Sequence, residues 1–453
     1  MIKKNDILDV DIIDMGYNME GIAKHDGVVL FVPFAIVGEK VRVKVINTKQ
    51  KAYICKIVEL LKPSPNRTNP VCPYFSKCGG CQCQHILYDY ALQLKKDLVQ
   101  NAITRIAKQN IIVSDTVASD KIYGYRNKLA LPVDPVTKKV GMFKEYSHTV
   151  LPIMDCSIQE KWAKNYIDAI NIFIAQNNIS VYDETTGKGV LRHVVGRCYD
   201  EKYLFTIVIN ADRLDKVENL INILKERFDD FGLNININRQ KSNLIMTDKF
   251  VHIFGRENID ICENDISYSI NNASFFQVNN YIKKQIYSRV FDNISNDIVI
   301  DAYSGAGLLT AMCAKKCKFA YGIEIVNEAT VSADKLMKKN NIKNMQNICG
   351  DSALVLPKLL NSINGDITLI LDPPRKGCDE RVVDAIVGTR PKKIIYISCN
   401  PSTLARDIYN LTTKCESFKL VSVTPFDMFP QTKHVETLAI LECSEEGKCK
   451  TMN

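Results

Sequence analysis

No stretch of this chain comes near the roughly 18 consecutive apolar residues that a membrane-spanning helix needs, so none is expected. The opening segment, Met1-Ile-Lys-Lys-Asn-Asp, carries two lysines but no apolar run before its acids begin. That argues against a secretory leader and for a cytoplasmic protein. No internal repeat and no low-complexity tract is present, so neither a repeat array nor a disordered segment is expected. Strong charge of one sign is missing as well. The formal net charge is +8, which permits a nucleic-acid partner without demanding one.

What is present begins with size and cysteine. A chain of 453 residues exceeds what one core usually serves, so two or three domains are expected. Apolar residues at 46% and charged residues at 24% place it among ordinary soluble globular proteins. The sixteen cysteines of a cytosolic chain this long do not read as a disulfide framework. Most read as small buried hydrophobes, and a minority as ligands or nucleophiles that spacing has to pick out.

Residues 1–62 read as a small β unit. Gly27-Val-Val-Leu-Phe-Val-Pro and Lys40-Val-Arg-Val-Lys-Val-Ile are short apolar or alternating runs between turn residues. The second puts Lys40, Arg42 and Lys44 on one face, which reads as a solvated face or as one that meets phosphates. Lys62-Pro-Ser-Pro-Asn-Arg-Thr-Asn-Pro is a linker by composition. A central region over 63–270 holds a cysteine knot at 72–83, a helix over about 88–108 and a mixed α/β stretch. Residues 271–453 hold regular alternation of strand and helix. Asp297–Asp301, Phe319–Glu324, Ile367–Asp372 and Lys393–Ser398 are the apolar strands, with helical stretches such as 327–340 and 401–411 between them. This is the βαβ pattern of an open, mostly parallel sheet.

The first of these strands ends in Asp301-Ala-Tyr-Ser-Gly-Ala-Gly, where Gly305 and Gly307 allow a sharp turn and close approach to a ligand. Glu324 ends the next strand, where an acid holds both hydroxyls of a ribose. Asp351 ends the third unit and reads either as a contact to an adenine edge or as a helix N-cap. The full G-x-G-x-x-G spacing is missing, so S-adenosylmethionine fits the loop better than NAD.

Asp372-Pro-Pro-Arg-Lys-Gly-Cys follows the fourth strand, and its prolines stiffen a loop that carries a carboxylate. Cys399, in Ile397-Ser-Cys-Asn-Pro, lies at a strand tip before a proline-started helix, where a thiol is expected to ionise more easily. Glu436 stands just before the last strand. A thiol and a carboxylate at the cofactor end suit methylation at C5 of a pyrimidine. A thiolate adding to C6 of uracil gives C5 carbanion character, and a base must then remove the C5 proton so that the thiol can leave. Amino-group methylation also uses an acid–Pro–Pro loop, but usually with an aromatic where this chain has Arg375. Cytosine C5 methylation would use the same thiol. Cys72, Cys78 and Cys81 gather three thiols within ten residues, with Cys156 as a distant fourth. Four thiolates suit zinc or an iron–sulfur cluster, and spacing leaves both open. Cys83 reads as structural.

Several stretches resemble the bacterial RNA uracil-C5 methyltransferases. They are Ser274-Phe-Phe-Gln-Val-Asn, Asp301-Ala-Tyr-Ser-Gly-Ala-Gly, Asp372-Pro-Pro-Arg-Lys-Gly, Ser398-Cys-Asn-Pro-Ser-Thr-Leu-Ala-Arg-Asp and His434-Val-Glu-Thr. With the β unit and the knot they span nearly the whole chain in the family's order. The resemblance implies a Rossmann-like methyltransferase domain, an N-terminal OB-like barrel of the TRAM type and a central α/β iron–sulfur region. It implies Cys399 as nucleophile and Glu436 as base. Gln277, Tyr303, Glu324 and Asp372 would contact S-adenosylmethionine, and Arg126 would lie near the target base. A [4Fe–4S] cluster on Cys72, Cys78, Cys81 and Cys156 is likewise implied. The expected substrate is RNA: 23S rRNA, because many tRNA-modifying members lack the barrel and the knot, with tRNA as the alternative. A monomer with no membrane partner is expected.

Overall fold

A computed structural model describes residues 2–48, 52–145, 147–272, 276–294 and 297–444. Three larger sheets follow one another along the chain. The first has six strands, ordered Ile7–Asp11, Lys40–Asn47, Ala52–Lys62, Val28–Val32, Gly21–His25 and Asp14–Met15. Alternation drives it: Val41, Val43 and Val45 are fully buried and pack with Leu30, Val32 and Cys55. On the other face Arg42 pairs with Asp9 at 2.8 Å and with Glu59 at 2.7 Å. One of the three cations expected on that face is therefore engaged by carboxylates of its own sheet.

The second sheet has five strands, ordered Phe250–Gly255, Phe231–Ile237, Lys202–Ile209, Leu191–Tyr199 and Lys128–Pro132. The helix Trp162–Asn177 buries Trp162, Tyr166, Ile170 and Phe173 on one face, at helical spacing. Tyr166 stacks on Phe205 of the sheet at 4.2 Å.

The third sheet has seven strands, ordered Met345–Cys349, Phe319–Glu324, Ile298–Asp301, Ile367–Leu371, Lys393–Ser398, Glu436–Cys443 and Phe418–Phe426. The first five are parallel and the last two run antiparallel to their neighbours. Strand order reverses at Ile298–Asp301, so a ligand crevice opens beyond the carboxyl ends of this strand and Ile367–Leu371. The core of this sheet also recruits earlier segments. Val99, Ala102 and Ile103 of the helix Tyr88–Arg105 pack with Leu404, Ile408 and Leu411 of the helix Pro401–Lys414. The hairpin Ile259–Glu263 and Ile266–Ile270 packs beside Val290, Leu309 and Met312. Among the described residues no helix is long and apolar enough to cross a membrane.

Candidate active site

The glycine turn is built as its composition requires. Gly305 and Gly307 have φ of +54° and +78°. A side chain at Gly307 would also strike Ala333, whose Cβ lies 2.6 Å from where its own would be. Glu324 reaches back into this turn and accepts from the backbone N–H of Gly305 at 3.0 Å and of Val326 at 2.8 Å. Each carboxylate oxygen keeps a second lone pair for a ligand hydroxyl. Asp351 caps the helix Ser352–Ser362, accepting from Ala353 N–H at 2.9 Å, so the N-cap reading holds there.

Tyr303, next to the turn, is steered by a chain of buried groups. Its hydroxyl interacts with the Cys378 thiol. That thiol donates to the Tyr396 hydroxyl at 3.6 Å, and Tyr396 donates to Asp407 at 2.6 Å. Asp407 also accepts from the Cys378 N–H at 2.8 Å. Residues from three separate motifs thus converge behind one tyrosine.

Carboxyl groups line the crevice in a row. Burial pushes Asp301 up to about 6, against the Thr310 hydroxyl that donates to it at 2.7 Å, and Glu324 adds to the rise. Burial pushes Asp372 up to about 7, with Asp301 adding to it. Glu436 is 5% exposed and lies well above the usual carboxylate range. Burial is the first cause and Asp372 the second, while Arg375 opposes both. Neighbouring acids that raise one another in this way favour a cationic guest.

Cys399 joins that row. Its backbone is fixed on both sides. The Ser398 hydroxyl accepts from the Asn400 N–H at 3.1 Å, and Asn400 caps the following helix by accepting from Ser402 N–H at 3.0 Å. The expectation of an easily ionised thiol is corrected. Asn400 itself satisfies the helix end, and burial together with Glu436 raises the thiol. Arg375 pulls the other way, by its charge and by a hydrogen bond to the sulfur.

Arg375 was not expected as a site residue. Its position directly after two prolines was the available signal. The Asn400 side chain donates to the Arg375 carbonyl at 3.2 Å, which ties the two loops together. Tyr17, from the first sheet, was invisible to sequence reasoning because 382 residues separate it from Cys399. Its hydroxyl donates to Asn400 at 3.3 Å, and it feels the charges of Cys399 and Arg375.

The segment leading to Glu436 is clamped from several directions. Lys95 and Asp427 form a buried ion pair at 2.5 Å. The Tyr125 hydroxyl donates to the Pro430 carbonyl at 3.1 Å, and the N–H groups of Gln82 and Cys83 both donate to the Gln431 carbonyl at 3.0 Å. Within this segment His434 is held down to about 4 by burial first, then by Arg375, Lys433, Lys95 and Arg126. Arg126 is half-buried and within electrostatic reach of His434, with its Nε donating to the Lys128 carbonyl at 3.1 Å. Gln277 lies just after the undescribed residues. Asn127 anchors it, with its side chain on the Gln277 carbonyl at 3.3 Å and its N–H on Val278 at 3.1 Å. Ser274 and Phe275 of the same motif lie outside the described residues.

The four knot thiols are neighbours. Cys81 is pushed up to about 12 by burial, with Cys156, Cys78 and Cys72 adding to it. Cys156 is pushed up to about 11 by burial, with Cys78 and Cys72 adding. The Gly80 N–H donates to the Cys78 sulfur at 3.3 Å. Among the described residues no group of three or more His, Cys, Asp or Glu side chains is arranged to hold a metal ion. Cys83 is buried among Met19, Ile36, Ile86 and Leu94, as a structural cysteine.

Residues 88–444 match the model of the family described as tRNA (Uracil-5-)-methyltransferase, and residues 3–52 match the TRAM domain. A protein of Caldanaerobacter subterraneus described as an uncharacterized RNA methyltransferase is 35% identical over 449 residues, covering 97% of this chain and 99% of its own. One of Clostridium acetobutylicum with the same description is 34% identical, covering 97% and 98%. The solved tRNA (uracil-54, C5)-methyltransferase of Pyrococcus abyssi, in complex with S-adenosyl-L-homocysteine, superposes with a TM-score of 0.79 at 27% identity. That superposition covers 96% of this chain and all of the other. With its adenosylmethionine-dependent α/β fold and its N-terminal TRAM domain, this chain belongs to the RNA uracil-5-methyltransferase family.

Proposed function

We propose that this protein methylates C5 of a uridine in 23S ribosomal RNA, with S-adenosylmethionine as methyl donor. The observation that carries the reading is the meeting of Cys399, Glu436 and Arg375 at the carboxyl end of the sheet, beside the row of acids. S-adenosylmethionine supplies an electrophilic methyl on a positively charged sulfur, which that row favours. Gln277, Tyr303, Glu324 and Asp372 hold it, Glu324 through the ribose hydroxyls. Cys399 adds to C6 of the uracil, and Arg375 stabilises the thiolate that does so. C5 then takes the methyl group. Glu436, ionised, removes the C5 proton, and the Cys399–C6 bond breaks as the ring double bond re-forms. Arg126 borders the cavity on the RNA side.

Cys72, Cys78, Cys81 and Cys156 are assigned as ligands of a [4Fe–4S] cluster. Support comes from the gathering of the four thiols, each of the other three adding to the rise of Cys81, and from a backbone N–H aimed at the Cys78 sulfur. A single zinc on the same four thiols, with Zn–S bonds near about 2.3 Å, is the alternative that spacing leaves open. Methyl transfer moves no net electron, so the cluster's role is structural or RNA-positioning. Gln82 and Cys83, which grip the Gln431 carbonyl, are its link to Glu436. The division at 1–62, 63–270 and 271–453, a monomeric state and a cytoplasmic location complete the reading.

A second reading, tRNA as substrate, has a specific observation in its favour. The Pyrococcus abyssi tRNA enzyme matches nearly the full length of this chain, so the barrel and the knot region do not by themselves point to ribosomal RNA. Mapping 5-methyluridine in the rRNA and tRNA of a deletion strain tests both. Loss in 23S rRNA with tRNA unchanged is expected. Loss confined to tRNA moves the enzyme to the second reading, and loss in neither overturns the function.

A further inference from the structure

Where the first sheet meets the thiol knot there is a second cavity, of about 480 Å³, separate from the crevice of the third sheet. Phe31 and Ile54 form one wall. They are register partners on adjacent parallel strands, and Ile54 is 46% exposed. Phe34 adds a second aromatic surface, held edge-on to Phe75 at 5.2 Å. Two acidic residues, Glu20 and Glu145, and Gln82 also line the cavity. One Glu20 oxygen accepts from the Asn18 side chain at 3.4 Å, and the other is buried without a hydrogen-bond partner. Glu145 is raised by burial, and Glu20 adds to the rise while Lys433 opposes it.

The cavity is tied to the active site by short covalent paths. Tyr17 touches Asn400, next to Cys399, and Glu20 follows three residues later. Three residues of extended chain span at most about 11 Å. Lys433, three residues before Glu436, donates to the Asn18 side chain at 2.6 Å, and its N–H donates to Gln82 at 3.3 Å. An RNA strand that presents a uridine to Cys399 thus passes this opening within a nucleotide or two.

The chemistry inside selects what enters. Two neighbouring carboxylates repel a phosphate, so the backbone is excluded. Aromatic and aliphatic walls suit the face of a base. Carboxylates accept from N–H groups. Cytosine, adenine and guanine carry an exocyclic amine. Uracil presents one N–H between two carbonyl oxygens, which a carboxylate repels. We propose that this cavity is a second base subsite, which takes an amino-bearing nucleobase flanking the target uridine and so contributes to the choice of RNA site. The inference rests on the proposed uracil methylation and extends it to the recognition of sequence.

The test uses the full-length protein and uridine heptamers with 5-fluorouridine at the centre. Fluorine cannot leave as a proton, so the adduct on Cys399 persists and fixes the register. Each flanking uridine is replaced in turn by cytidine, adenosine or guanosine, and two quantities are read. One is the Kd of each heptamer, and the other is the yield of covalent adduct with S-adenosylmethionine present. Cytidine against uridine is the sharpest pair, because their rings match in size. At one position within two nucleotides of the centre, cytidine should bind about tenfold more tightly than uridine, the worth of one hydrogen bond to a charged group. Glu20→Gln/Glu145→Gln should reduce that preference to less than twofold while still forming adduct. Adduct without any flanking preference, or a preference that survives in the double variant, overturns the subsite and leaves uracil methylation standing. A carboxylate-dependent preference without adduct on any heptamer does the reverse.

Discussion

The protein presents thiols in two settings, and the contrast between them is instructive. Burial raises Cys399 and the knot cysteines Cys78, Cys81 and Cys156 alike. What differs is the company. Beside Cys399 stands a guanidinium that opposes the rise, and the acids around it belong to a crevice made for a cation. In the knot Cys78, Cys81 and Cys156 are each raised further by neighbouring thiols. A lone thiol with a fixed counter-charge can be ionised one molecule at a time, when substrate arrives. Thiols whose ionised forms would repel one another stay protonated until something of high positive charge is placed among them. The same residue type therefore reads as a nucleophile in one place and as a ligand set in the other.

The largest expected effect separates the two settings by chemistry. Cys399→Ala should lower turnover on the order of a thousandfold or more, with RNA binding within about tenfold of the parent and the melting temperature unchanged. Methylation near the parent rate would remove Cys399 from the mechanism. Glu436→Gln should be equally inactive in turnover, but for a different reason. Proton removal is the last need before the thiol leaves, so this variant should accumulate methylated RNA joined to Cys399, visible on a denaturing gel. Glu436→Gln/Cys399→Ala should show no such band. A folded Glu436→Gln enzyme that turns over normally would show that another group is the base.

The knot should respond in the opposite way. Protein prepared without oxygen should be brown, with iron and sulfide near four per chain, as a [4Fe–4S] cluster requires. Cys81→Ala should lose iron and melting temperature together, because Gln82 and Cys83 anchor the segment that carries Glu436. The fraction that remains folded should keep activity within about tenfold. Stoichiometric zinc without iron, or a Cys81→Ala protein with unchanged iron, would contradict the ligand set.

Arg375→Gln sharpens the contrast in counter-charge. Removing the guanidinium leaves Cys399 to burial and Glu436, so its thiol should ionise at higher pH. The rise of kcat/KM with pH should move upward, leaving the variant about tenfold slower at pH 7 and closer to the parent at pH 9. A profile that keeps its shape and position while the rate falls would assign Arg375 a purely structural part.

Much of the catalytic sheet was legible in advance, because strands buried on both faces read as apolar runs. Phe319–Glu324 and Lys393–Ser398 run to the expected residue at both ends. The helix Asn327–Lys339 stops one residue before the expected end, and Pro401–Lys414 runs three residues past it. The strand-tip acids and Cys399 were legible for the same reason, since this fold gathers strand tips at one edge. What sequence could not carry was contact across long separations. Tyr17 reaches Asn400, and Gln82 reaches Gln431, through packing that no local pattern encodes. The thiol's ionisation was misjudged because Asn400 takes up the helix end that was expected to act on Cys399. The helix Tyr88–Arg105 was placed from its periodicity, but its partner was not, because an apolar face does not name what it packs on.

The smallest effect concerns stability, and it has the opposite sign at the two settings. Knot thiols stabilise the fold once they are liganded, whereas the crevice acids cost stability while the crevice is empty. Asp372 has an ordinary carboxyl pKa of 3.8 when unfolded and about 7 in the fold, from burial and from Asp301. Below about pH 4 both states hold the proton, and the group contributes nothing. Between there and about pH 7 the folded state binds a proton that the unfolded state has released, so stability falls as pH rises. Above that range the whole cost is present. Asp372→Asn removes the charge and keeps the shape. In protein free of S-adenosylmethionine it should raise the melting temperature by about 2–4 °C at pH 8, a size reduced by the partial solvent exposure of Asp372, and leave it unchanged near pH 4. The same variant should bind S-adenosylmethionine more weakly, because the carboxylate that burdens the empty protein is one of those that would hold the cofactor. Melting curves at the two pH values, with and without S-adenosylmethionine, read both effects. A variant that melts lower than the parent at pH 8, or shifts equally at both pH values, would show that Asp372 is stabilising as it stands and that the crevice is not held open at a cost.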